Sequence, residues 1–136
     1  MRRLEGPEIE SYDVLSRELA ERVRIVRVPV LFFGSNGMTI GRFVLLRTDD
    51  DRSGNRKLLA HELVHVRQWY EAGRCAFLRA YMGDYFRELR RSRCHRDAYL
   101  AIRAEREAYA EADAWAGRKQ SSSLGSGCAR CKQSAQ

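Results

Sequence analysis

Two histidines four residues apart, with a glutamate directly after the first, lie inside an otherwise apolar stretch: Leu58-Leu59-Ala60-His61-Glu62-Leu63-Val64-His65-Val66-Arg67-Gln68-Trp69. Residues four apart on a helix stand one above the other on the same face, so His61 and His65 stack one turn apart. By helical phase, Leu58, Trp69 and Ala72 accompany the histidines, while Leu59, Leu63, Val66 and Tyr70 form a second apolar flank. A helix that is apolar on more than one side is buried, and burying two imidazoles and a carboxylate without partners is costly. The fold has to bring compensating groups to this helix.

The surrounding pattern reads as one α+β domain over residues 11–117, between a loose N-terminus (1–10) and a disordered tail (118–136). Ser11 is a plausible N-cap for an amphipathic helix carrying Tyr12, Leu15, Leu19 and Val23. Ile25 to Phe33 is β-branched and aromatic, with Pro29 marking an edge or bulge. Gly34-Ser35-Asn36-Gly37 is a turn signal, and Met38 to Arg47 returns as a second strand, which predicts a hairpin. The polar segment Thr48–Asn55 follows, where Asp49-Asp50-Asp51 reads as charge ahead of a helix rather than as a calcium site. Three helices complete the domain, at about Arg56–Ala72, Ala76–Ser92 and Arg96–Ala116. The Ser/Gly-rich run from Ser121 has linker composition.

The formal charge of +7 raises the question of nucleic acid, but the arginines are dispersed except around Arg87–Arg93, which argues against a binding groove. No run approaches the length of a membrane span. The basic start lacks the apolar segment of an export signal, so a cytoplasmic location is expected. Disulfides are accordingly not expected among Cys75, Cys94, Cys128 and Cys131. The Cys128-x-x-Cys131 pair has metal-knuckle spacing without a second pair, and reads first as part of a tail. Cys94-His95 reads first as loop.

Stacked imidazoles can share one zinc ion at about 2.0–2.1 Å each. Glu62, about 100° around the helix from His61, is poorly placed as a third ligand but well placed as a base acting on a zinc-polarised water. A catalytic zinc needs a further protein ligand. The candidates downstream are His95, Glu105, Glu107, Glu111 and Asp113. Ala98, Ile102, Glu105, Tyr109, Ala112 and Ala116 share one face of the last helix, whereas Glu107 and Glu111 fall opposite, as surface charges. A carboxylate in an apolar face requires a partner: zinc is one, a buried Arg, Tyr81 or Tyr85 another. Tyr109 is a candidate oxyanion donor or a core aromatic, and Gln68 a candidate to hold a ligand histidine. The strand from Met38 could receive an extended peptide along its edge.

His61 to Gln68, the aromatic-rich helix after Gly73 and the segment Ala98–Tyr109 resemble the small bacterial gluzincin-like proteins of the DUF4157-type and minigluzincin group. The resemblance spans about residues 38–116. It implies a zincin-like minimal domain, a zinc cofactor, a peptide or protein substrate and Glu105 as third ligand. Gluzincins commonly carry an Asp four residues after that ligand; here the position is Tyr109, and the nearest acid on a similar side is Asp113. Two functions stand open at this point: a zinc metallopeptidase, and a non-catalytic zinc-stabilised interaction module on a degenerate peptidase scaffold.

Overall fold

A computed structural model describes residues 1–31, 35–47 and 56–127. The chain runs through helices α1 (Gly6–Ser11) and α2 (Arg17–Arg22), strands β1 (Arg24–Arg27), β2 (Gly37–Ile40) and β3 (Phe43–Leu46), then helices α3 (Lys57–Ala72), α4 (Arg74–Ser92), α5 (His95–Ala101) and α6 (Arg103–Gly127). It is α+β, as the patterning indicates, and mostly helical. No helix among the described residues is long and apolar enough to cross a membrane.

Several elements differ from the sequence expectation, each for a local reason. The first ten residues, expected to be loose, are tied down. Arg2 bridges to Ile25 and forms a two-pronged ion pair with buried Glu8 (2.7 and 2.9 Å), while Glu8 also accepts the Glu5 amide in a capping box. Ser11 ends α1 rather than capping a long helix. The cap belongs to Ser16, whose hydroxyl accepts the Leu19 amide at 3.3 Å and starts α2.

The hairpin lies within the stretch expected to be a single second strand. Gly41 takes a positive φ of 62° as the first residue of a two-residue turn, so Ile40 faces Phe43 and β2 pairs antiparallel with β3. β1 joins β3 in parallel, giving the order β1-β3-β2, a mixed sheet with β2 at an edge. The acidic residues 49–51 and the Cys128/Cys131 pair lie outside the described residues. α6 continues to Gly127, through the serines read as linker; hydroxyls of Ser121 and Ser122 donate back to carbonyls four residues earlier.

The core sits where α3 crosses between the sheet and α6. Leu59, Leu63, Val64 and Val66 of α3 are buried with Val44 and Leu46 of β3 and with Ala108, Ala112 and Trp115 of α6. Trp115 stacks on Tyr12 (centroids 5.1 Å) and donates its indole N–H to the Ser11 carbonyl at 2.9 Å. Tyr12 in turn accepts the Arg56 amide at 3.1 Å, at the entry to α3. The N-terminal segment thus holds the end of α3 that precedes the histidines.

Candidate metal centre

Both histidines and Glu62 are buried on α3, at 6%, 6% and 4% exposure. The group that meets the histidines comes from α6. The third predicted helix is broken at Ile102, which takes an extended ψ of 129°, so α6 restarts at Arg103 and Glu105 falls in its first turn. A carboxylate is favoured there by the helix dipole. The restart is held from α4: buried Asp84 accepts the Arg103 backbone amide (3.3 Å) and guanidinium (2.9 and 3.2 Å).

The break also corrects the expected phase. Within α6 the buried face is Glu105, Ala108, Ala112 and Trp115; Tyr109 is 41% exposed rather than core. Its ring lies against His61, centroids 4.4 Å apart. Burial and the nearby carboxylates of Glu105 and Glu62 push the Tyr109 phenol up, which keeps it a donor.

His61 Nε2 is 3.1 Å from Glu105 Oε2, His65 Nε2 is 3.3 Å from Glu105 Oε1, and the two Nε2 atoms are 3.2 Å apart. Two ligands on a tetrahedral ion at 2.0–2.1 Å stand about 3.3 Å apart, so these separations are those of one face of such a polyhedron. The donor chemistry agrees. Two imidazole nitrogens facing each other and a carboxylate need a shared proton or a cation between them. His61 Nδ1 is buried with no hydrogen-bond partner among the described residues, so the polar contacts of this ring run through Nε2. His61, His65 and Glu105 can together hold a metal ion.

The electrostatics favour a charged carboxylate beside the rings. Burial alone would raise the Glu105 carboxyl, but the imidazoles of His61 and His65 beside it and the Tyr81 hydroxyl outweigh it and hold the group well below the ordinary range. For His65, burial acts downward and is overcome by Glu105, with Glu62 and Gln68 adding to the upward shift. Tyr81 donates to Glu105 Oε1 at 2.7 Å, and the phenols of Tyr81 and Tyr99 are both driven up by burial and by the negative charge of Glu105.

Glu62 occupies a separate niche under β2. Its Oε2 is 2.8 Å from the Thr39 hydroxyl, which also lies 3.0 Å from the Glu62 carbonyl. A side chain at Gly37 would put its Cβ 2.5 Å from Glu62 Oε1, so only glycine allows this approach. Burial raises the Glu62 carboxyl, against the lowering effect of His65, His61 and Thr39.

The other sequence candidates are partnered elsewhere. Glu111 and Glu107 pair with Arg67, Glu107 also accepts from Gln68, Asp113 pairs with Lys57, and His95 meets the Tyr85 hydroxyl. Cys75 and Cys94 are free and exposed. Tyr99 escaped the sequence reading because it lies off the apolar face of its helix; the remaining signal was the tyrosine-rich composition around the carboxylate.

Fold and site together define a class: an α+β chain in which a buried helix carries a His–His pair one turn apart, completed by a carboxylate from a later helix, as a potential metal centre. Residues 32–73 match the family model described as the eCIS core domain, a DUF4157-type family. The match covers β2, β3 and α3, and with them His61, Glu62 and His65. It ends before α4 and α6, which supply Tyr81 and Glu105. No curated protein and no solved structure shows significant similarity to the chain.

Proposed function

We propose that the protein is a zinc-dependent metallopeptidase, with His61, His65 and Glu105 as ligands and Glu62 as general base. The observation that carries the reading is the set of 3.1–3.3 Å separations among three buried donor groups from two distant helices. Two imidazoles and one carboxylate suit zinc, and three protein ligands leave a fourth position open. When bound, zinc supplies a cation that polarises a peptide carbonyl and acidifies water beside it.

The residues of the chain do the rest. The Glu62 carboxylate takes a proton, and its burial raises its basicity. Thr39 orients Glu62, and Gly37 leaves it room. Tyr109, at the rim of the site, offers an O–H to a developing oxyanion. The edge position of β2 allows an extended peptide to add as a further strand next to Glu62.

One observation favours the second reading, a zinc-stabilised module without catalysis: Glu62 is only 4% exposed and is held from the sheet side. Zinc stoichiometry and hydrolysis of a mixed peptide pool separate the two. Wild type is expected to bind one zinc and cleave; Glu105→Ala is expected to lose the metal. Glu62→Gln is expected to keep zinc and lose cleavage. Cleavage undiminished in Glu62→Gln rules out this base, and zinc without cleavage in wild type selects the structural module.

A further inference from the structure

The polar groups behind His65 carry a further assignment, which rests on the metal-site reading above. Gln68 is buried one turn after His65 on α3. One end of its amide faces the Ala104 carbonyl at 3.1 Å and a Glu107 carboxylate oxygen at 2.8 Å. Both neighbours only accept hydrogen bonds, so this end is the NH2 group. The other end is then the carbonyl oxygen, 2.8 Å from His65 Nδ1. A carbonyl oxygen cannot donate, so Nδ1 carries the proton. In a neutral ring that leaves Nε2 bare, and Nε2 is the atom that lies 3.2 Å from His61 Nε2 and 3.3 Å from Glu105 Oε1.

We infer that Gln68, oriented by Glu107, is a positioning residue that fixes His65 as its Nδ1–H tautomer and so presents the Nε2 lone pair to the metal. The network is continuous across α3 and α6. Arg67 lies 3.5 Å from Glu107 and also pairs with Glu111, which holds the carboxylate at the end of the relay in place. Free imidazole side chains in water favour the opposite tautomer, so the protein has to impose this one. Groups behind metal-binding histidines commonly act in this way, through a carboxylate or a carbonyl oxygen. Here a glutamine from the same helix does so, and it is itself aimed by an acid from the helix that bears Glu105.

The test is the tautomer itself, read from long-range proton–nitrogen NMR of the metal-free protein, labelled at histidine nitrogen, under alkaline conditions that keep the imidazoles neutral. Zinc binding to the same proteins is measured in parallel. Wild type is expected to show the Nδ1–H signature at His65. Gln68→Leu is expected to shift it towards Nε2–H and to weaken zinc binding by about 10- to 100-fold. Glu107→Ala, a change at the solvent side of the relay, is expected to shift the tautomer part of the way with the fold intact. The double variant Gln68→Glu/Glu107→Gln restores an acceptor facing His65 and a donor facing that acceptor, and is expected to recover the Nδ1–H form. An Nε2–H signature in wild type overturns the inference, as does an unchanged Nδ1–H signature in both Gln68→Leu and Glu107→Ala. Failure of wild type to take zinc overturns the metallopeptidase reading instead, because the tautomer comparison needs no metal.

Discussion

Glu62 and Glu105 are both buried acids, and their surroundings push them in opposite directions. Glu105 lies against His61 and His65, accepts from Tyr81 and stays charged, whereas burial dominates at Glu62 and raises its carboxyl. One suits a ligand, the other a base. The contrast makes Gly37 a sensitive position. Gly37→Ala puts a methyl 2.5 Å from Glu62 Oε1, so either the strand or the carboxylate has to move. We expect an overpacking cost of about 1–3 kcal/mol in denaturant titrations, and peptide cleavage lost with zinc stoichiometry preserved. Loss of zinc together with cleavage would show that Gly37 supports the whole site rather than Glu62 alone.

At the scale of elements, the joint between α5 and α6 decides where Glu105 points. Asp84 on α4 holds that joint through the backbone and side chain of Arg103. Asp84→Asn weakens the charge-assisted bonds, and we expect Tm to fall by roughly 3–6 °C and zinc affinity to drop because Glu105 is less well placed. The Arg103 hydrogen bond, the largest of its influences, holds the Asp84 carboxyl below its ordinary range, burial opposing. A group lowered in the native state stabilises above its unfolded pKa, near 3.9, and loses that contribution as pH falls through the native value. Acid unfolding measured below about pH 4 should therefore be less steep in Asp84→Asn than in wild type. Equal steepness would remove Asp84 from the account of the joint.

For the whole molecule, α3 is buried between the sheet and α6, so the candidate metal centre and the core share one helix. Trp115, 1% exposed, ties α6 to the N-terminal segment through Tyr12 and Ser11. Trp115→Ala is expected to cost about 3–5 kcal/mol in denaturant unfolding, through the cavity and the lost stacking. Metal binding should act on global stability in the same way. Zinc at a free concentration 100 times its Kd adds about 2.7 kcal/mol, seen as a raised Tm that a chelator reverses and that Glu105→Ala never shows. A Tm indifferent to zinc in wild type would mean that the folded chain holds no such ion.

The chain's own order of residues determined the α3 helix, the pairing of His61 with His65 on one face and the α+β class, because these follow from local periodicity and from the cost of burying polar groups. It also singled out Glu105, since a lone acid in an apolar face requires a partner. Tertiary structure decided what periodicity cannot carry. The break at Ile102 and the turn at Gly41 reset the phase of their elements, so Tyr109 emerged at the rim and the hairpin formed inside one expected strand. The parallel pairing of β1 with β3, the Asp84 tether, the tyrosines on Glu105 and the Glu107–Gln68–His65 relay all join residues distant in the chain. Hydrogen-bond partners of that kind are chosen by packing, and packing exists only once the helices have met.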